Sequence, residues 1–372
     1  MTRSLRIAPS KQQWHLLLGD ERTHAAVTTK GNIRIEKKQS RTWAVIPPHQ
    51  ETLLLHIALG DATVTDAALA NVASELPEIP FEKWIEGGPR LWTQEITTKG
   101  VRGQDDQPYV IDTITLPFEN PYRALFFASG HDFFSNGDAA LCTVHGDVWR
   151  VSGIDDNLDR IQWTRFATGL FQPLGVKIVD DVVHVVGRDQ ITRLHDTNRD
   201  GETDWYENFN NEAHVTPNPH EYATCLETDS QGNFYFLKGN SESQSKHDGT
   251  LLRVSPDGST LEVFATGFRN ANGMSIGPHD EITVAPQEGE WTPGSAVFDV
   301  HQGGFYGGMM SHHREQPPTT FEQPICWMPR IEDNSSGGQA WVTSDRWGPL
   351  AGQLLHLSYG TCRMFLVLRE RV

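Results

Sequence analysis

ATGLFQPLGVKI, residues 167–178, and ATGFRNANGMSI, residues 265–276, are two copies of one pattern. Both open on Ala-Thr-Gly, Gly175 matches Gly273, Ile178 matches Ile276, and the copies stand 98 positions apart. That offset is two units of about 49 residues, and a fixed period of this length marks a repeat architecture. The units read outward from the two copies. Residues 123–170 carry ALFFASGHDFF and AALCTVHGDVWRVSG, 171–217 carry VKIVDDVVHVVGRDQITRLHD, and 218–268 carry CLETDSQGNFYFLKG and GTLLRVSPDGSTLEVFATG. A fourth unit follows from Arg269 with MSIGPHDEITVAP, and a fifth from Gly338 with QAWVTSDRWGPLAGQLLHLSYG.

Each unit is three or four short runs broken by turn pairs such as Asn136-Gly137, Asp200-Gly201 and Asp257-Gly258. This is strand and hairpin chemistry. Four-stranded units of about 40–50 residues predict an all-β fold, a β-propeller. A β-sandwich does not impose such a spacing. About four complete blades and part of a fifth are countable over 123–372, so the expectation is a six-bladed type of ring that is incomplete in this chain. The first 60 residues lack the repeat. WHLLLG, HAAVTT, NIRIEK, TWAVIPP and TLLLHIALG read there as five strands of a small β-rich module. Residues 61–122 read as a linker and docking segment. DAALANVASEL is a short helix or linker in it, and Trp84 and Trp92 are packing anchors.

The chain has 372 residues and a formal net charge of −17. Nucleic-acid binding needs a basic footprint, so that class of partner is excluded. No apolar stretch reaches membrane-spanning length, and MTRSLRIAPSKQQW at the start lacks the apolar core of a signal peptide. Cys142, Cys225, Cys326 and Cys362 are widely spaced, which reads as buried free thiols for Cys142 and Cys225, with one disulfide of unassigned pairing left open.

One loop carries a metal signature. Asp196, Asn198, Asp200, Gly201, Glu202, Asp204 and Glu207 fit the D-x-[DN]-x-[DN]-G-x5-E pattern. Oxygen donors at alternate positions can converge on one hard cation, with the Glu202 backbone carbonyl and a bidentate Glu207 completing a calcium shell. GRDQITRL ahead of it reads as a strand, so the expectation is a structural Ca2+ loop between propeller strands.

Two further motifs open adjacent repeat units. His220 begins HEYATCL, and Arg269, Asn270 and Asn272 lie in GFRNANG. Unit starts are expected near the propeller axis, where a ligand would meet all of them. Histidine exchanges protons near neutral pH, and arginine presents a fixed fork of donors to carboxylates or quinone oxygens. His131-Asp132, Asp147-Trp149 and His312-His313 read as packing and turn residues. Ser344-Asp345-Arg346-Trp347 is open between an axial role and a structural ion pair.

HEYATCLETDSQGNFYFLKGN is similar to the histidine-bearing blade start of the soluble glucose and sorbosone dehydrogenases. GFRNANG resembles their G-x-RN-x-QG motif. The resemblance implies a six-bladed quinoprotein in which His220 is the general base. Arg269 and Asn270 would contact pyrroloquinoline quinone, with Asn272 in place of the family's Gln. Asn240 stands where the family has an Asp that orients the base. Longer phrases, among them GRDQITRLHDTNRDGETDWYENFN and NSSGGQAWVTSDRWGPLAGQLLHLSYG, resemble large propeller proteins of Planctomycetes. These are dehydrogenase-like or haem-binding-domain proteins. That resemblance implies an extracytoplasmic protein, periplasmic or secreted, with a cytochrome c as electron acceptor. The leading expectation is therefore a sugar or alcohol dehydrogenase acting on a small molecule. The alternatives are a non-catalytic propeller binding polysaccharide or a protein partner, and a lactonase-like hydrolase with an axial calcium.

Overall fold

The computed structural model describes every residue except 78, 107, 240–244, 289–291, 293 and 370–372, and the side chain of Trp84. The chain divides into two compact units, Met1–Glu86 and Gly87–Val372. The segment expected as a linker, 61–122, is thus shared between them.

The first unit holds β1 (Thr2–Ile7), β2 (Trp14–Asp20), β3 (His24–Thr28), β4 (Arg34–Lys38), β5 (Arg41–Ile46) and β6 (Leu53–Gly60). They form two antiparallel sheets, ordered β1-β6-β3 and β2-β5-β4. Leu18, Ala44 and Ile46 of one sheet meet Leu55, Ile57 and Leu59 of the other in a single core. The five expected strands are all present, and β1 is an addition. Helix α1 (Asp66–Ser74) begins at Thr65, whose hydroxyl accepts the Ala68 N–H, a regular N-cap. Leu69 and Ala73, one turn apart, are buried against Ala58 of β6. A short helix α2 (Phe81–Ile85) follows.

The second unit is a β-propeller. Its strands are β7 (Ile96–Thr98), β8 (Ala128–Phe133), β9 (Ala139–Thr143), β10 (Val148–Ser152), β11 (Ile161–Ala167), β12 (Gly175–Val179), β13 (Val182–Val186), β14 (Ile191–His195), β15 (Trp205–Asn210) and β16 (Ala223–Thr228). They continue as β17 (Phe234–Lys238), β18 (Thr250–Val254), β19 (Leu261–Thr266), β20 (Gly273–Ile276), β21 (Ile282–Ala285), β22 (Gly294–Val300), β23 (Cys326–Pro329), β24 (Ser336–Trp341), β25 (Leu354–Ser358) and β26 (Arg363–Val367). Among the described residues these make five successive antiparallel sheets, β8–β11 with β7 on the outer edge, β12–β15, β16–β19, β20–β23 and β24–β26.

Second strands are buried on both faces, which explains their continuous apolar runs. In FYFLK, Phe234 and Phe236 pack towards the second sheet with Val186, Ile191 and Phe209. Tyr235 and Leu237 point the other way, to Met274, Val284 and Phe298 of the fourth sheet. This is the period-two alternation of a strand between two packed layers.

The first strands β8, β12, β16, β20 and β24 pack successively on one another and so ring the axis. Here the repeated glycines have their reason. A Cβ on Gly175 would lie 2.6 Å from the Cys225 carbonyl carbon, and one on Gly273 would lie 2.1 Å from the Gly337 oxygen. Cys225 and Gly337 both sit at register shifts in the next first strand, β16 and β24. A bulge in one first strand therefore presses its backbone onto the repeat glycine of the strand before it.

Candidate functional site

Strand order fixes which loops share an end. The connections entering first strands lie at the same end as those between second and third strands. The connections leaving first strands, and those between third and fourth strands, lie at the other.

His220 precedes β16, and Arg269, Asn270 and Asn272 precede β20, so both motifs reach the same end of neighbouring first strands. Strand β16, just after the His220 loop, is tied to the second loop, because Thr224 Oγ1 donates to the Ala271 carbonyl at 2.9 Å. His220, Arg269 and Asn272 are exposed, and Asn270 is half-buried at a φ of 40°. Arg269 donates through Nη1 to the Glu288 carbonyl at 2.8 Å. Its other donors meet no acceptor among the described residues. Arg269 also lines a cavity with Gly267, Gln287, Phe298, Tyr306 and Trp327. At about 20 Å³ this cavity has room for roughly one water molecule, and His220 is not on its wall. Asn240 lies outside the described residues.

The surroundings are rich in nitrogen. Lys246, Lys238, His214 and His313 crowd the buried His247, whose pKa is pushed down to about 4 by burial first and then by these neighbours. His247 Nδ1 accepts the His214 N–H at 2.9 Å, and His313 Nε2 lies 2.6 Å from the Asp248 carbonyl. On a chain of net charge −17, this end offers exposed cationic donors, Arg269 and Lys246 among them, that suit an anionic ligand.

The acidic loop joins β14 to β15, at the opposite end from His220. Its first half has the turn the motif requires. Asp196 accepts the N–H groups of Asp200 at 3.1 Å and Gly201 at 2.9 Å, and Gly201 takes a φ of 87°. Asn198 Oδ1 also accepts the Asp200 N–H at 3.0 Å. The remaining carboxylates are turned elsewhere. Glu202 accepts the N–H groups of Leu91 at 2.8 Å and Trp92 at 3.0 Å. Asp204 accepts those of Gly88 at 3.0 Å and Thr197 at 2.8 Å. Glu207, on β15, pairs with His195 at 2.7 Å. Among the described residues no three His, Cys, Asp or Glu side chains converge as a ready metal shell.

Other residues singled out in the sequence have structural partners. Asp132 accepts the Ile178 N–H at 2.8 Å, and Asp147 pairs with Arg165 at 2.7 Å. Ser344 caps the turn after β24 through the Arg346 N–H at 3.3 Å. That turn leaves a first strand and so lies away from His220. All four cysteines are free, and burial raises the Cys142 thiol to about 11 and that of Cys225 to about 12. The buried ion pair of Lys238 with Glu221 beside His220 was missed from sequence. Its one signal was a lysine closing the apolar run FYFLK.

No protein-family profile matches the sequence, and no curated protein matches it. Among solved structures the chain is similar to an oxidoreductase (glucose dehydrogenase) from Thermus thermophilus. The TM-score is 0.52 at 16% identity, over 66% of this chain and 80% of that one. Two further structures named glucose dehydrogenase give TM-scores of 0.52 and 0.51, each at 14% identity, over 66% and 65% of this chain and 83% of theirs. At such identities the likeness is one of fold, and function is to be argued from the site.

Proposed function

We propose that the propeller is a quinoprotein-like oxidoreductase acting on a small sugar or related alcohol. The observation that supports this reading is the delivery of a histidine loop and an Arg-Asn loop to one end of neighbouring first strands, with β16 tied to the second loop by the Thr224–Ala271 hydrogen bond. His220 would take the hydroxyl proton of the substrate as general base, a role its exposed position allows. Arg269, Asn270 and Asn272 would hold pyrroloquinoline quinone, Arg269 with the donors that Glu288 leaves free. When bound, that group supplies an acceptor for hydride leaving a carbon. An exported location with a cytochrome c as acceptor accords with the sequence resemblance. No helix among the described residues is long and apolar enough to cross a membrane.

For the acidic loop we propose a structural calcium held by Asp196, Asn198, Asp200 and the Glu202 carbonyl. The loop joins a third to a fourth strand, away from the first strands that line the axis, so this ion would not be an axial one.

The test is turnover by the quinone-loaded protein. Addition of an aldose should reduce an artificial electron acceptor, and His220→Ala should lower kcat by about 10²–10⁴-fold. The variant should keep the quinone, read from its absorbance. Full turnover in His220→Ala, or none in the loaded wild type, would overturn the assignment.

A further inference from the structure

Beneath the exposed His220 lies a buried ionic group. The side chains of Lys238, the last residue of β17, and Glu221 are both fully enclosed, with Nζ and Oε1 3.1 Å apart. Lys238 Nζ also donates to the Arg188 carbonyl at 3.3 Å. Glu221 Oε2 accepts the Thr216 N–H at 2.6 Å and the Thr216 hydroxyl. Arg188, on the connection from β13 to β14, returns its guanidinium to the carbonyls of Thr216, at 3.3 Å, and of Asn218. Asn218 then closes the turn. Its Oδ1 accepts the His220 N–H at 2.9 Å, and its carbonyl accepts the Glu221 N–H at 3.2 Å. The ties on residues 216–221 thus lead back to three ionisable side chains on three different segments.

An ion pair is a poor choice for stability alone. Taking both charges out of water offsets most of their attraction, and apolar residues of similar volume often do as well or better. The same burial pulls the Lys238 ammonium down from its ordinary value, with Glu221 opposing it. What such a group supplies is direction, since Glu221 Oε2 is committed to Thr216, Lys238 Nζ to Glu221 and the Arg188 carbonyl, and the Arg188 Nη2 to the Thr216 and Asn218 carbonyls, while the Arg188 Nε has no hydrogen-bond partner among the described residues. We propose that Lys238, Glu221 and Arg188 are positioning residues that hold the turn presenting the His220 imidazole. The proposal rests on the reading of His220 as the base. It differs from orientation by a side chain touching the imidazole, because these three act through the backbone of 216–221.

The double variant Glu221→Gln/Lys238→Met removes both charges and keeps an acceptor for Thr216. It should fold and retain the quinone absorbance. Its kcat should fall at least tenfold with KM within about twofold, and amide exchange at His220 should speed up at least tenfold. Glu221→Asp keeps the charge but shortens the reach, and serves if the double variant fails to fold. It too should lower kcat and speed exchange at His220. Unchanged kcat and exchange in a folded variant would overturn the proposal. If the loaded wild type turns over no sugar, the reading of His220 fails. The exchange rates still decide whether the charges hold the turn, faster exchange supporting the proposal and unchanged exchange rejecting it.

Discussion

His184 shows how one side chain makes this propeller sensitive to acid. It lies on β13 between Phe209 and Phe234, with ring centroids 5.3 and 4.8 Å away. Arg193 Nε donates to its Nε2 at 3.1 Å, and its Nδ1 faces the Val182 carbonyl at 3.1 Å. The network therefore assigns the proton to Nδ1 and leaves the ring neutral. A second proton would have to enter at Nε2, against a guanidinium that already donates there. Burial first, and then the Arg193 charge, push the pKa down to about 4. In the unfolded chain the same ring titrates near 6.5. Between these values the unfolded state holds a proton that the native state lacks, so stability is full above about pH 6.5 and is lost as the pH falls towards 4. His247, also lowered to about 4, acts in the same direction. The melting temperature should thus drop between pH 6.5 and 4.5. His184→Gln retains a donor and an acceptor without the titration, and should show a smaller drop. An equal drop in the variant would show that His184 does not carry the effect.

At the scale of an element, the β14–β15 loop separates what a motif states from what it leaves open. The spacing of Asp196, Asn198, Asp200 and Gly201 determines a turn, and the turn is present, closed by Asx hydrogen bonds to Asp200 and Gly201. The later motif positions face other segments. Glu202 and Asp204 anchor the backbone of Gly88, Leu91 and Trp92, about 110 residues earlier in the chain. No local pattern could show that, because the partners are backbone N–H groups brought near only by the fold. The FYFLK run has the same limit. Its alternation was legible, but the lysine at its end reads as a solvated strand end unless Glu221 is known to lie against it. A calcium ion held by the first half of the loop has fewer charged ligands than the full motif, which favours weak binding, of about 10⁻⁴–10⁻³ M. At ten times the dissociation constant, such a site adds about 1.4 kcal/mol to stability. In a domain of this size that raises the melting temperature by about 2–4 °C. Asp200→Ala should abolish the rise, and calorimetry with calcium against chelator measures it. The same rise in the variant would place the ion elsewhere.

For the molecule as a whole, the repeat decided the fold where the units keep their length. The second and third sheets follow the period. The fourth departs from it, because residues 301–325 intervene between β22 and β23. Part of that stretch forms a parallel bridge between Phe305 and Thr266 of the previous sheet, and Phe305 and Tyr306 are buried there. That long-range pairing has no signature at the spacing of a repeat. The N-terminal boundary was hidden for a related reason. DAALANVASEL shows its two buried positions, Leu69 and Ala73, only once Ala58 of β6 is opposite them. With α1 included, Met1–Glu86 has its own core, and each of its strands pairs within the unit. A chain of this size can bury enough apolar surface to fold by itself. Expressed alone, residues 1–86 should give dispersed amide resonances and a cooperative melt. Ile57 is fully buried between the two sheets, so Ile57→Ala should remove about 2–5 kcal/mol and largely unfold the fragment. A collapsed spectrum for the unmutated fragment would show that its core is completed by residues beyond Glu86.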